Sequence, residues 1–319
     1  MKNNFFKVLR AGINSTYQDE GRFEMQHLGV PSGGCMDHKS FLLANAIVGN
    51  KENEGVIEFV YQGPLLKLIE GKTKIVITGN VYFKIIRTQN KIIEGECNRS
   101  YDLNEGDQID IIATKKSAYG YLSAEGGFDV NPFCKSVSTL IKAKIGPNNG
   151  SKINKEDKII INKASKNKNN FKASAFIEET NIIRVLKGPQ FDYFSEKSIK
   201  NFFSQNYKIT NLTDRMGMRL QGTILENIIN TNIRSEGITR GAIQVPADGQ
   251  PIILLSDYPT IGGYPKIANI ISADYDLLAQ KIPGTNISFK CIELNEAEEL
   301  YKKRRENISK IIKDIKEIN

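Results

Sequence analysis

The stretch GAIQVPADGQPIILL, residues 241–255, decides the fold class of this chain. Residues 241–245 and 252–255 are short apolar runs of the β type, and the tripeptide ADG at 247–249 lies between them. An Asp-Gly pair between two apolar runs is a strong signal for the tight turn of a β-hairpin. The stretch therefore predicts two antiparallel strands joined by a turn.

Further short β-type runs occur on both sides of this hairpin. They are separated by Gly, Asn and Asp, which supply the backbone conformations of turns. Evenly spaced short strands are typical of a closed barrel or a sandwich rather than of a parallel, doubly wound sheet. We therefore expect a mainly β chain with a few helices, whose further strands lie at residues 74–78, 81–88, 108–113, 119–124, 182–186 and 286–294.

Helices are predicted at four places. Asp37 is a good N-cap for a helix that Gly49 ends, and Ser195 can cap a second, short helix. Ser272 is expected to open a third. The fourth covers residues 295–319, where isoleucines form one apolar stripe and charges of both signs lie elsewhere. This amphipathic helix is expected to dock on the protein itself.

The length of 319 residues favours two domains, since a domain has roughly 100–200 residues. The polar run NKASKNKNNFKA, residues 162–173, has little to bury and is the best candidate for a boundary. We predict a β-rich domain over 1–165, a linker or loop over 166–180, a second β domain over 181–294 and then the C-terminal helix.

Composition narrows the function classes. The net charge of +8 comes largely from lysines interleaved with Asn and Ser, which is typical of a solvated linker rather than of a nucleic-acid surface. No apolar run approaches the ~18 residues of a membrane span, and no signal peptide is evident, so we expect no membrane partner and a cytoplasmic protein. Four scattered cysteines and two histidines form no standard metal motif, and no metal site is predicted.

Four glycine-rich polar segments carry the functional signal. They lie at residues 16–37, 213–220, 235–251 and 257–265. Glycine lets the backbone approach a ligand closely, and the neighbouring Gln, Asp, Arg, Ser and Thr supply donors and acceptors. Such segments favour a site for a small, polar, amide-like molecule. The alternative is that the glycines only turn the strands of a barrel.

In this order the segments resemble the allophanate-hydrolase-subunit-2 family, also called the KipA or biotin-dependent carboxyltransferase family. The resemblance implies tandem cyclophilin-like β-barrel domains. It covers nearly the whole chain except the C-terminal helix, and it is carried by TYQDEGR, GVPSGGCMD, LANAIVGN, YLSAEGGFDV, TDRMGMRL, SEGI, GAIQVPADGQPI and GGYPKIA.

Within that family the resemblance is to the 5-oxoprolinase branch, which implies one component of an ATP-dependent complex. Such a complex opens the lactam of 5-oxo-L-proline to L-glutamate, and the partners implied are a KipI-like B-type subunit and an A-type subunit. Two other functions remain open. One is a regulatory protein that antagonises a kinase inhibitor, and the other is a carboxyltransferase half that acts on a urea-like amide.

ATP with Mg is the cofactor that the resemblance implies. The chain lacks the glycine-lysine phosphate loop of many nucleotide-binding proteins, and its nearest string, residues 146–152, is interpreted as a turn. We therefore expect a nucleotide site shared with a partner subunit. The chain has no biotin-acceptor string, so any biotin is expected on another chain.

Roles for single residues are hypotheses within this resemblance. The carboxylates expected to act as a general base or to hold Mg²⁺ are Asp19, Glu236 and Asp257. The arginines expected to clamp a substrate carboxylate are Arg22 and Arg215, and the amides expected to bond the lactam are those of Gln18, Gln244 and Gln250. The other predicted substrate-binding residues are Pro31, Ser32, Gly33, Ser235, Thr260, Gly262, Gly263 and Tyr264. Each residue can instead serve structure, as Arg215 would in an ion pair with Asp214.

Overall fold

The computed structural model describes residues 4–162, 169–174 and 179–318. It confirms a mainly β chain with a few helices. The chain divides into two compact units. The first comprises the described residues of Met1–Arg22, Gly33–Phe176 and Ile308–Asn319, and the second those of Phe23–Ser32 and Ile177–Asn307.

The first half of the chain contributes twelve strands and two helices among its described residues. The strands are β1 (Phe5–Arg10), β2 (Asn14–Gln18), β3 (Val56–Val60), β4 (Leu65–Glu70), β5 (Lys72–Gly79), β6 (Val81–Ile86), β7 (Ile92–Glu94), β8 (Ser100–Asn104), β9 (Gln108–Thr114), β10 (Tyr119–Ala124), β11 (Lys158–Ile160) and β12 (Asn170–Lys172). The helices are α1 (His38–Ile47) and the single turn α2 (Pro147–Gly150).

The second half adds ten strands and three helices within the described residues. The strands are β13 (Ile182–Lys187), β14 (Tyr207–Thr213), β15 (Gly217–Gln221), β16 (Glu236–Gly237), β17 (Ala242–Gln244), β18 (Ile252–Leu254), β19 (Ile261–Gly262), β20 (Lys266–Ile270), β21 (Asn286–Cys291) and β22 (Lys316–Ile318). The helices are α3 (Glu196–Ser204), α4 (Tyr275–Ala279) and α5 (Leu294–Lys313).

Unit 1 contains two antiparallel sheets. One has six strands in the order β11-β1-β4-β9-β6-β7, and the other has five in the order β2-β3-β10-β5-β8. Apolar side chains of both sheets share one core, in which Phe6, Phe59 and Phe83 are fully buried. Strand β10 is buried along its whole length because α1 also lies against the five-stranded sheet.

Helix α1 begins and ends at the predicted residues. The Asp37 carboxylate accepts hydrogen bonds from the Ser40 N–H at 3.0 Å and the Ser40 hydroxyl at 2.7 Å, which satisfies a backbone donor of the first turn. After the helix, Gly49 has φ +73°, a left-handed conformation that glycine adopts without strain.

Unit 2 contains a closed barrel in the strand order β13-β20-β17-β18-β15-β14-β21. The predicted hairpin is confirmed as β17 and β18, which pair antiparallel with Ile243 opposite Ile253. Parallel pairing of β21 with β13 closes the barrel. Beside it, β16 and β19 form a separate two-stranded ribbon in which Glu236 lies opposite Gly262.

Aromatic side chains pack where α3 meets the barrel. Ser195 caps this helix as predicted, since its hydroxyl accepts from the Ser198 N–H. The ring of Phe202 stacks on Phe289 with centroids 4.5 Å apart and contacts Tyr207 at 6.0 Å. Burial raises the pKa of Tyr207 to about 12.

Two predicted helix starts are wrong. Helix α4 follows Asp274 rather than Ser272, which is exposed and lies within the turn that the Asp274 N–H closes on the Ile271 carbonyl. Helix α5 begins at Leu294, before the predicted cap Asn295. It ends at Lys313, where the chain turns and then extends as β22 instead of continuing as a helix.

The predicted linker over 166–180 lies partly outside the described residues. Its described part includes β12, which pairs antiparallel with β22, so Phe171 lies opposite Glu317. The four cysteines are all described and form no disulfide. Among the described residues, no helix has both the length and the apolar character needed to cross a membrane.

Truncation of Phe202 tests the aromatic contacts of the barrel. We expect Phe202→Ala to lower the free energy of unfolding by about 3–5 kcal/mol, because it removes a fully buried ring and leaves a cavity. Urea denaturation followed by circular dichroism measures the change. Leu212→Ala is the control, since Leu212 is 70% exposed and its loss should cost less than about 0.5 kcal/mol. Equal losses in the two variants would contradict this packing.

Candidate functional site

The predicted site residues fall into both units. Those in unit 1 are Gln18, Asp19, Arg22 and Gly33, and those in unit 2 are Pro31, Ser32, Arg215, Ser235, Glu236, Gln244, Gln250, Asp257, Thr260, Gly262, Gly263 and Tyr264. Their assignment to substrate binding or catalysis stays a prediction.

Asp19 is buried and bonded on both carboxylate oxygens. Oδ1 accepts from the Gly21 N–H at 2.8 Å and the Ser136 hydroxyl at 2.7 Å, and Oδ2 accepts from the Val137 N–H at 2.7 Å. The carboxylate thus joins the end of β2 to the segment around Ser136. With its residue only 3% exposed, these contacts favour a structural role.

Gln18 is engaged by the same segment. Its amide nitrogen donates to the Thr139 carbonyl at 3.1 Å, and its amide oxygen accepts from the Ser138 hydroxyl at 2.6 Å. Ser138 Oγ also accepts from the Gly34 N–H at 2.8 Å, and the Ser138 carbonyl accepts from Arg22. Gln18, Arg22 and the glycine turn therefore meet at Ser138.

Ser136 and Ser138 were missed by sequence reasoning, although they connect the predicted residues. No sequence signal marks them; in the structure, the preceding residues Cys134 and Lys135 have φ values of +48° and +62°. Non-glycine residues seldom adopt this left-handed backbone conformation. It persists where the surrounding contacts stabilise it enough to offset the strain.

In unit 2, Arg215 and Asp257 form a bidentate ion pair. The Arg215 Nε lies 3.0 Å from Asp257 Oδ2, and its Nη2 lies 2.8 Å from Oδ1. Both side chains are largely buried. The Asp214 carboxylate accepts hydrogen bonds from the Met216 and Gly217 N–H groups of its own turn, and its pairing with Arg215 stays a prediction.

Tyr275 lies close enough to this ion pair for both charges to act on its pKa. Burial is the main cause that raises the pKa of Tyr275 to about 12, so the phenol is protonated at neutral pH. Its oxygen lies 3.3 Å from Ser256 Oγ, and the Arg240 guanidinium lies 4.2 Å from its ring centroid. The stacked cation is a further contact that sequence reasoning did not anticipate.

A second polar cluster of unit 2 centres on Lys266, which sequence reasoning also missed. The Lys266 Nζ lies 2.5 Å from Glu236 Oε1, and the Gln190 amide nitrogen donates to the same oxygen at 2.9 Å. The Gln190 amide oxygen accepts from the Lys266 backbone N–H at 3.1 Å. The sequence feature that could have identified Lys266 is that it is the single charged residue in the strand KIANI, where it is the first residue.

The contact with Lys266 lowers the pKa of the Glu236 carboxyl. Contact with Lys266, and secondarily the hydrogen bond from Gln190, holds the pKa of Glu236 below its ordinary value. Glu236 is therefore ionised at neutral pH and is a weaker base than a free carboxylate. This environment suits a charge partner better than a general base.

Gln244 lies directly opposite Lys266 on the neighbouring strand. Its amide nitrogen is buried and has no hydrogen-bond partner among the described residues. A side chain at Gly262 would bring its Cβ to 2.5 Å from that nitrogen, so the glycine allows the ribbon to lie against the amide. Gln244, Gly262, Glu236 and Lys266 are thus brought together.

The next predicted residues of unit 2 have contacts outside the Lys266 cluster. Gln250 bonds both backbone groups of Gly222, at 2.8 and 3.2 Å, which is a structural contact. Ser235 lies beside Gly263, and Tyr264 is 40% exposed. The Thr260 carbonyl accepts from the Ile238 N–H. Among the described residues, no group of three or more His, Cys, Asp or Glu is arranged to hold a metal ion.

The carboxyltransferase domain family, subdomains A and B, has a family model that matches residues 28–291 of this chain. The chain belongs to this family. It is 31% identical to the C subunit of 5-oxoprolinase from Haemophilus influenzae over 98% of this chain and 99% of that protein. It is 32% identical to the C subunit of 5-oxoprolinase from Escherichia coli over 91% of this chain and 92% of that one.

The fold of this carboxyltransferase-family chain is also similar to a solved structure. The crystal structure of the K. lactis urea amidolyase matches with a TM-score of 0.89 and 27% identity. The match covers 98% of this chain and 20% of that one, so this chain spans about a fifth of the urea amidolyase.

The Asp19 contacts predict a stability effect. In Asp19→Asn the amide nitrogen must face one of the N–H donors, from Gly21 or from Val137, in either orientation. We expect a loss of about 1–3 kcal/mol in the free energy of unfolding, because a buried donor loses its acceptor. Urea denaturation measures it, with the exposed Glu105→Gln as control. An unchanged midpoint in Asp19→Asn would refute this role.

Proposed function

We propose that this chain is the C-type component of an ATP-dependent 5-oxoprolinase, acting in the cytoplasm with components of types A and B. The observation that carries the proposal is the match to the C-type protein of a known 5-oxoprolinase along 99% of that protein's length. A match end to end supports an equivalent component rather than a shared module.

Chemistry explains why such a reaction needs ATP. A lactam is an amide stabilised by resonance, and water opens it slowly at neutral pH. Transfer of a phosphoryl group to the carbonyl oxygen makes that oxygen a leaving group and the carbon electrophilic. Water then attacks the carbon, the ring C–N bond breaks, and the nitrogen takes up protons to become the amino group. A second water hydrolyses the acyl phosphate that remains, which gives the new carboxylate of glutamate and inorganic phosphate. The energy comes from ATP hydrolysis.

The contribution of this chain is the recognition of the lactam. The polar groups of unit 2 around Lys266 and Gln244 combine a cation with an amide donor, which matches the carboxylate of 5-oxoproline. Glu236 and Asp257 serve this proposal as charge partners of Lys266 and Arg215.

ATP and Mg²⁺ are assigned to a surface completed by a partner subunit. The glycine-rich string at 146–152 does not fit a phosphate loop, because Asn148 and Asn149 are left-handed and form a turn. Its Lys152 donates to the Ile13 carbonyl at 3.2 Å. No step of the reaction is therefore placed at this string.

A carboxyltransferase half acting on a urea-like amide is the second candidate. The similarity to the urea amidolyase structure supports it, with biotin carried by another chain. The two functions share a small amide as the acceptor. They differ in whether the amide bond is opened or its nitrogen is carboxylated.

Reconstitution tests the proposed function. The chain is purified together with the A-type and B-type components encoded by the same organism and is supplied with 5-oxoproline, Mg²⁺ and ATP. We expect glutamate release that needs ATP and all three components, measured by a coupled glutamate assay. Turnover of a urea-like amide with a biotinylated carrier, and none of 5-oxoproline, would overturn the proposal in favour of carboxyl transfer.

A matched pair of glycine variants tests the site in that complex. Gly262→Ala should leave the fold intact and yet displace the Gln244 amide, because its Cβ would lie 2.5 Å from the movable end of Gln244 and no closer than 3.2 Å to the Ile238 side chain. We expect kcat/KM for 5-oxoproline to fall roughly tenfold or more, as misplaced groups do in active sites. Gly237→Ala, with nothing within 4 Å, is the control. Equal activity in both variants would remove Gln244 from the site.

A further inference from the structure

We infer that Lys266, Gln190 and Gln244 form a carboxylate-binding site that Glu236 occupies in the free protein and that the substrate carboxylate takes over on binding. The inference rests on the proposed function for the identity of that substrate, because 5-oxoproline bears one carboxylate. The contacts that define the site involve four side chains of unit 2.

Lys266 has more donor capacity than its partners use. The residue is 4% exposed, and its ammonium carries three N–H donors. Its 2.5 Å contact with Glu236 Oε1 is a charge contact, since Nζ has no hydrogen bond of regular geometry among the described residues. A buried ammonium is costly unless it is both paired and hydrogen-bonded. Lys266 can therefore bond an anion better placed than Glu236.

Gln244 supplies a second donor to the same place. Its residue is 5% exposed, and the amide nitrogen has no partner within the described part of the chain. Gln244 and Lys266 are cross-strand partners on β17 and β20, so their side chains project from the same face. A cation and an amide donor side by side match the two oxygens of a carboxylate.

Glu236 reaches these donors from a more exposed element. Its side chain is 44% exposed, whereas that of Lys266 is 5% exposed. It belongs to the ribbon of β16 and β19, a pair of two-residue strands outside the barrel ladder. The neighbouring Gly237 has open space around it, and Ile261 on the opposite strand is 60% exposed. The carboxylate is therefore the component that can leave.

The exchange of one carboxylate for another keeps the buried charge balanced. Lys266 remains paired throughout, so the exchange avoids the cost of a lone buried ammonium. Gln190 can transfer its hydrogen bond from Glu236 to the incoming carboxylate. The departing Glu236 enters water, where a carboxylate is well solvated. Because Glu236 must be displaced first, it weakens the apparent affinity for every external carboxylate.

Removal of the internal carboxylate tests the inference on the full chain alone. In Glu236→Ala we expect potassium formate to raise the melting temperature in a saturable manner beyond the effect of equimolar potassium chloride. The wild-type protein should show little such effect. By calorimetric titration, 5-oxoproline should bind Glu236→Ala roughly tenfold or more tightly than wild type.

Two controls make the outcome specific to Lys266. Adding Lys266→Met to Glu236→Ala should abolish the response to formate. Glu299→Ala removes another carboxylate that pairs with a lysine, Lys302, on the exposed face of α5, and it should respond to formate as wild type does. An equal response in Glu236→Ala and wild type, or its survival without Lys266, would overturn the inference.

A second variant makes the test independent of whether Glu236→Ala folds, and the use of formate makes it independent of catalysis by the complex. Should Glu236→Ala not fold, Glu236→Gln removes the charge while keeping the size, and the same response to formate is required of it. Formate needs neither ATP nor a partner subunit. A formate response in a chain whose complex does not open 5-oxoproline would defeat the proposed function alone. Turnover without any formate response would defeat only this inference.

Discussion

Closure of the barrel by the parallel pairing of β13 with β21 is the constraint on which unit 2 depends. It leaves the seven strands without a free edge and fixes the register of the strands that carry polar side chains. Within that ladder, Gln244 is held opposite Lys266. A charged and an amide side chain can stay buried side by side only where the backbone around them cannot rearrange at low cost. The rigid barrel thus positions the ribbon of β16 and β19.

In unit 1, polar side chains are buried between the loops. The segment from Ser136 to Thr139 donates a hydrogen bond to the Asp19 carboxylate and accepts hydrogen bonds from Gln18 and Arg22. Each side chain replaces the backbone pairing that irregular segments lack. The glycine-rich turn after β2 is therefore held in place by side chains, as the close approach of Gly34 to the Glu20 carbonyl requires. The same residues that look catalytic in the sequence account for the local structure.

The sequence correctly predicted the helix caps and the hairpin turn that depend on residues close together in the chain. Asp37 and Ser195 cap their helices because the capping bond spans three residues, and the Asp-Gly turn sets the β17–β18 hairpin. Ser272 failed as a cap because Asp274, two residues later, ends the preceding turn and binds Arg184. That competition involves a residue 90 positions away, which no local pattern contains.

The candidate site was predicted in part for the same reason. Glycine-rich segments drew attention to Glu236, Gln244 and Gly262, which do come together. Lys266 stood in a recognised motif but was not selected, since burial of its ammonium follows from strand pairing rather than from neighbours in sequence. The pairing of Lys266 with a carboxylate of the protein itself has one more consequence. Under the proposed exchange, simple organic acids would offer Lys266 no more than Glu236 does. Binding would therefore require a molecule with further complementary groups, which would make the site selective.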